Sequence, residues 1–270
     1  MIGIVRAILI TIGIYLIMYA IGLFLQQEWA TSVWLWPDAP PLSNIFISSM
    51  SAGVGAALFW VGYIGEIGAA AGGGLALLIS GSGMAIYLFQ ETERQYSETV
   101  STYATLFAIL AIVGLLLYLF ARRIPICDPR QTPPVARWSI LIFSIVLAFT
   151  SFQLLQSSPY IFPWPLATDM SVIYGWMFTG ALILLVHSVI WPNWQSTGVV
   201  LISFLVYDII LIAPYLAHIN NVKAAHVLSL TSYLIVIIYS FVLCVYYLFI
   251  DAETGLWGKS SSTIAEDQSN

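Results

Sequence analysis

Residues 102–120 read TYATLFAILAIVGLLLYLF, residues 121–137 read ARRIPICDPRQTPPVAR, and residues 138–156 read WSILIFSIVLAFTSFQLLQ. Two apolar runs, each close to the roughly 20 residues a helix needs to cross a bilayer, flank a loop with four arginines and four prolines. Working outward, six further runs of that kind appear at 3–25, 44–64, 67–89, 171–190, 198–217 and 227–250. Eight membrane-spanning helices are therefore predicted. The remaining composition agrees. Of 270 residues, 60% are hydrophobic and only 8% charged, where a soluble domain carries about 25% charged. So few charges cannot cover a globular surface in water. That excludes a soluble enzyme, a nucleic-acid binder and a disordered chain. The runs do not alternate polar and apolar over about 10 residues, as strands of an outer-membrane barrel would. The predicted class is an all-α polytopic helix bundle whose first partner is the lipid bilayer.

Lys and Arg set the orientation. With the N-terminus inside, Arg6, Arg122, Arg123, Arg130, Arg137 and Lys259 lie on the cytoplasmic side, and only Arg94 and Lys223 lie outside. Both termini are thus expected in the cytoplasm and the protein in the cytoplasmic membrane. The first apolar stretch is longer than the 7–15 residues of a signal-peptide core and reads as an uncleaved span. Residues 251–270 read as a polar, disordered tail.

The chain carries a candidate duplication. Trp36-Pro37 and Trp164-Pro165 are 128 residues apart, Ser43 and Ser171 keep that offset, and Arg6 and Arg137 each open a first helix. Two parallel four-helix repeats are expected, at 1–130 and 131–250, related by an axis along the membrane normal. Each would carry an outer aromatic-proline hairpin, with Trp34, Trp36, Pro37, Pro40 and Pro41 in the first and Trp164 and Pro165 in the second. Residues before proline avoid helix, and tryptophan rings favour headgroup depth, so the hairpins read as stiff outer caps.

The segment Trp34-Leu35-Trp36-Pro37…Pro40-Pro41-Leu42-Ser43, followed by a helix of small residues and echoed after the fifth span, resembles a family of uncharacterised bacterial multi-span membrane proteins with Trp-Pro and Pro-Leu outer loops. Ala167-Thr168-Asp169 stands where the second Pro-Pro-Leu would fall. The resemblance implies a span number and two outer hairpins, and no chemistry.

Ionisable groups at membrane depth are costly and often functional. Asp208 is the foremost, about ten residues from either end of the seventh run and six before Pro214, whose ring frees a backbone carbonyl. It is either a proton-binding group of a transporter or a protonated carboxyl satisfied by a neighbouring hydroxyl. Glu66 sits in a tight turn between the second and third runs and reads as solvated. His187, near the same face, reads as a ring reaching the interface, with a Glu66 pair as the alternative. A haem bridged by His187 and either His218 or His226 is excluded by depths about 20 Å apart. His218 with His226 is a weak metal alternative, and no cofactor is expected. Cys127 and Cys244 form neither a disulfide framework nor a four-ligand zinc site.

The small residues Gly68, Gly72, Gly73, Gly74, Ser80, Gly81 and Gly83 of the third run predict close helix packing. Ser48, Ser49, Ser51, Gly53 and Gly55 of the second offer a matching face. No phosphate loop, catalytic triad or zinc-protease motif is present. Three functions follow in order: a non-catalytic subunit or binding or sensing module, with other membrane subunits as partners; a small proton-coupled transporter using Asp208; an intramembrane enzyme acting on lipid.

Overall fold

The structure, a computed structural model, describes residues 2–95 and 97–255. The described residues form α1 (Ile2–Phe24), α2 (Glu28–Thr31), α3 (Pro41–Ile64), α4 (Ala71–Gln95), α5 (Glu98–Ala121), α6 (Pro134–Leu155), α7 (Thr168–Ile190), α8 (Trp194–His218) and α9 (Val227–Val245). A 3-10 turn, Ile67–Ala70, leads into α4, and a π turn, Tyr246–Ile250, ends α9. No strand occurs among the described residues. All but the single-turn α2 are long and apolar enough to cross a membrane, which makes eight spans. Most of the tail expected at 251–270 lies outside the described residues.

Six of the eight spanning helices start one to four residues before their apolar runs, because polar and proline residues build their ends, while α4 starts after its run and α9 with it. Pro41 and Pro134 occupy first-turn positions, each with a proline at the N-cap before it. A proline there loses no helical hydrogen bond. Pro41 is therefore part of α3 rather than of the extended loop expected from the sequence. Asn193 caps α8, its Oδ1 accepting from Ser196 N at 2.8 Å, so α8 begins four residues before the predicted run. Gly65, at φ +84°, closes α3 in a left-handed conformation that costs glycine little.

Packing is by hairpins: α1 on α3, α4 on α5, α6 on α7 and α8 on α9. The hairpins meet along two seams, α3 on α8 and α4 on α7. Two hairpins close to backbone contact at glycines. A Cβ on Gly13 would lie 2.7 Å from Gly55 O, and one on Gly114 would lie 2.6 Å from Leu78 N. Glycines also line the seams, Gly53 against Ser203 and Gly180 against Ser80. The small faces of α3 and α4, expected to match each other, thus serve other partners, α1 and α8 for the first and α5 and α7 for the second. Small residues license a close approach without choosing the helix that makes it.

The loop from α5 to α6 is tied to the start of α8. Arg130 donates to Asp128 from Nε at 2.9 Å and from Nη2 at 2.6 Å, and Gln195 Nε2 donates to the same carboxylate at 2.6 Å. Trp194 N donates to Arg130 O at 2.9 Å, and Thr132 N to Pro192 O at 3.1 Å. Burial pushes the Asp128 carboxyl up. The bonds from Arg130 and Gln195, with the guanidinium charge, outweigh it and hold the group below the usual carboxylate range. A depressed folded value stabilises above the unfolded value of about 3.9 and is lost as pH falls through the folded one. Asp128→Asn is therefore expected to lower stability at neutral pH by about 1–3 kcal/mol. It should also flatten the acid-side loss below about pH 4, read as melting temperature against pH. A variant with the parent's acid profile would show that this clasp is not what titrates.

Candidate functional site

The aromatic loops 25–40 and 156–167 do not lie on the bundle end but enter it. Phe162 and Trp164 are buried with Phe46 of α3, Tyr174 and Phe178 of α7 and Tyr215 of α8. Phe46 lies 5.0 Å from the Phe162 ring and 4.8 Å from that of Tyr174. The Trp164 indole donates from Nε1 to Ser43 Oγ at 2.9 Å. Trp34 and Trp164 are only 8% and 4% exposed, so both rings pack in protein rather than face lipid. Trp36 is half-buried beside Trp34, at 5.8 Å. Pro37, Pro40 and Pro165 lie in these loops, and Pro41 opens α3.

Beneath this plug runs a file of hydroxyls. Tyr174 faces Ser43 and Tyr215. Tyr215 packs on Tyr233 at 5.7 Å between ring centroids. Tyr233 faces Tyr207, and Tyr207 adjoins Asp208. Asp208, 1% exposed, faces Ser240 and Cys244 of α9. Across these approaches Tyr174 Oη, Tyr215 Oη, Tyr233 Oη, Ser240 Oγ and Asp208 Oδ2 are buried without a hydrogen bond of normal geometry. Orphaned buried polar groups are rare and each calls for a cause. Trp34 Nε1, Asn44 Oδ1 and Ser196 Oγ share the condition.

Of the residues singled out from the sequence, Asp208 belongs to this file and the others do not. Glu66 accepts from Cys127 N at 3.1 Å, so it anchors the α5–α6 loop. His187 packs on Gly72 and on Trp191, 4.5 Å between ring centroids. The structure brings the two together in no ion pair. His226 is buried with its Nδ1 2.8 Å from Phe162 O, a bond that seats the plug. His218, half-buried, is the last residue of α8. No group of three metal-ligating side chains occurs among the described residues. At the aromatic end a cleft opens between α4, α5 and α7, lined by Trp36, Tyr87, Glu91 and Asp169, with Tyr87 Oη donating to Asp169 Oδ1 at 2.7 Å.

Sequence reasoning missed Tyr174, Tyr207, Tyr215 and Tyr233. A signal was present: Tyr207 and Tyr215 stand two turns apart on the helix that carries Asp208, near its internal Pro214.

These features define a multi-pass, all-α membrane protein with an aromatic-plugged end and a carboxyl, Asp208, buried within a span. No protein-family model, no curated protein and no solved structure matches the chain.

Proposed function

We propose that this protein is a non-catalytic, internally duplicated module of the cytoplasmic membrane, a complex subunit or a binding or sensing element. The observation that carries the reading is the sealed seam between the halves. A Cβ on Gly53 would lie 2.9 Å from Ser203 O across α3–α8, and one on Gly180 2.8 Å from Ser80 Cβ across α4–α7, and Asp208 is shut from solvent. A transporter needs alternating access to such a group. The opening at the aromatic end suits a module that meets partners there.

Several features support the duplication. The packing scheme maps onto itself when each spanning helix is exchanged for the one four spans on. Gln26 and Ser157, 131 residues apart, are the two non-glycine residues with positive φ among those described. The bonds around them also repeat at that offset, Gln27 N to Gly22 O at 2.9 Å and Ser158 N to Gln153 O at 3.0 Å. Within each half the last helix bonds the aromatic loop, Tyr103 Oη to Val33 O and Ser229 Oγ to Ile161 O. The Trp-Pro family resemblance belongs to the same proposal. A proton-coupled transporter is the second reading, favoured by the unpartnered Asp208 Oδ2.

The topology proposal places both ends of the bundle's chain inside, from the basic loops. One experiment tests both parts of this reading. In a background of Cys127→Ser and Cys244→Ala, single cysteines replace Ser97 and Asp208 and are treated with impermeant thiol reagents on intact cells and inverted vesicles. Ser97→Cys is expected to react from outside, and Asp208→Cys from neither side. Reaction of Asp208→Cys from either side overturns the sealed module in favour of transport. Reaction of Ser97→Cys only from the cytoplasmic side reverses the topology.

A further inference from the structure

The cleft beside Trp36 is the opening at the aromatic end, and the duplication proposed above supplies a closed counterpart for it. At the offset of 128 residues, Trp36 pairs with Trp164, and Ala85-Ile86-Tyr87-Leu88 pairs with Ala213-Pro214-Tyr215-Leu216. In the second half the seat is shut: Trp164 and Tyr215 meet edge-on at 5.9 Å, and both are buried. In the first half Trp36 and Tyr87 are half-buried and line a cleft of about 210 Å³ with Leu88, Glu91, Val100 and Asp169. A neighbouring cleft of about 220 Å³ shares Leu35 and Trp36 with it and adds Asp38.

The open seat also differs in charge. Asp169 and Glu91 stand at the offset positions of Pro41 and Ile219, so two carboxylates replace two apolar side chains. Carboxylates do not serve to fill an apolar seat, because burying them is costly. Glu91 is 9% exposed, and its Oε1 accepts from Arg94 Nη1 at 2.6 Å. Asp169 Oδ1 accepts from Tyr87 at 2.7 Å, and among the described residues no donor reaches Oδ2. One guanidinium thus accompanies two carboxylates. The surrounding end is acidic as well, with Glu28, Asp38, Glu93 and Glu98 against Lys223. Such a field draws cations toward the cleft. Trp36 in its wall is the type of side chain whose ring attracts a cation most strongly. A metal ion suits the site less, since no group of three metal-ligating side chains occurs among the described residues. Sites for drug-sized ligands run to about 300–1,000 Å³, so this cleft takes a fragment the size of one side chain.

We infer that the cleft binds a small organic cation, an ammonium group held by Asp169 and Glu91 on a short apolar stem that lies against Trp36, Leu88 and Val100. The inference rests on the binding-module reading, for which it names a ligand class, and on the duplication for its closed counterpart. The cleft lies where α4 ends and α5 and α7 begin, within reach of both water and lipid headgroups. A free amine and the ammonium headgroup of a lipid share the chemistry it recognises. Thiol labelling of Asp208→Cys would end the sealed module and leave the cleft standing. A cleft that takes no amine would leave the sealed module standing.

The test is calorimetric titration of the whole protein in a nonionic maltoside detergent with phenethylammonium. Saturable binding is expected with a Kd below about 1 mM, and none with the neutral isostere phenethyl alcohol. Asp169→Asn keeps the shape and the acceptor for Tyr87 and removes only the charge. It is expected to weaken binding about tenfold, the worth of one charge-assisted hydrogen bond. Trp36→Leu should weaken it about fivefold. Glu28→Gln, at an exposed acid outside the cleft, should bind as the parent does. Should one cleft variant fail to fold, the other carries the measurement. Displacement of the amine by added phosphatidylethanolamine, but not by phosphatidylglycerol, assigns the site to a lipid headgroup. Displacement by neither assigns it to a free amine. The inference is overturned if the alcohol binds as well as the amine, if both lipids displace it, or if Asp169→Asn binds no more weakly than Glu28→Gln. An absence of saturable binding overturns it as well.

Discussion

Gly114→Val is expected to prevent α5 from docking and to leave little monodisperse protein in mild detergent. The reason is geometric. At the α4–α5 crossing, Gly74 and Gly114 face each other so closely that a Cβ on Gly114 would lie 2.6 Å from Leu78 N and 2.8 Å from Gly74 O. A Cβ on Gly74 would lie 2.6 Å from Tyr118 N. The obstacles are backbone atoms within helices, and they cannot rotate aside as a side chain would. Valine adds two methyl groups to that clash. Overpacking a core costs about 1–3 kcal/mol, occasionally more, and here it acts where helices gain nothing from leaving lipid. The fully buried residues of α5 are Ala104, Ala111, Gly114 and Ala121, so the closest part of its contact is this stripe of small residues. Gly73→Val is the control. It lies on α4, next to Gly74, and its Cβ would meet nothing within 4 Å. It should stay within about 0.5 kcal/mol of the parent in a thermal melt. A Gly114→Val protein that melts with the parent would show that the α4–α5 hairpin is not held by this approach.

The same glycines explain how far the sequence carries. Long apolar runs between charged loops specify spans, because lipid leaves a chain no other means of satisfying its backbone. The eight helices were legible for that reason, and their ends less so, since Asn193, Pro41 and Pro134 act through caps that hydropathy does not register. Partner choice was not legible. The serines and glycines of α3 and α4 announce close packing, but which helices close is settled by the three-dimensional arrangement of all eight. Asp208 stood out because a carboxyl at that depth is anomalous in one dimension. Tyr174, Tyr215 and Tyr233 did not, because a tyrosine within an apolar run is ordinary until its hydroxyl is found buried and alone. Trp164 misleads in the opposite sense. Its place beside prolines in a loop suggests a ring at the interface, and the loop instead folds inward to bury it against Phe46 and Tyr215.

Phe46→Ala is expected to be the most damaging single truncation in the bundle. Its ring is fully buried and touches partners from every part of the aromatic end. It meets Phe162 of the inturned loop edge-on at 5.0 Å, Tyr174 at 4.8 Å and Phe178 in a stack at 5.7 Å, both on α7, and Tyr207 of α8 at 6.3 Å. Phe46 is thus where α3 of the first half is joined to the helices and loop of the second. Phenylalanine to alanine in a core costs about 3–5 kcal/mol, the upper part of that range where the cavity cannot collapse. Collapse is hindered here because the surrounding rings are themselves pinned, Trp164 by Ser43 and the Phe162 carbonyl by His226. Lipid cannot fill the space from outside, since the plug covers it. Phe46→Leu keeps most of the volume and should lose less than the alanine variant, as volume-conserving changes do. Phe59→Ala, on the same helix but 37% exposed, removes a ring that lipid replaces and should change stability by no more than about 0.5 kcal/mol. Equilibrium unfolding of the three variants in mixed micelles orders them. If Phe46→Ala unfolds with Phe59→Ala, the two halves are held by the glycine seams alone, and the aromatic plug closes the bundle without binding it together.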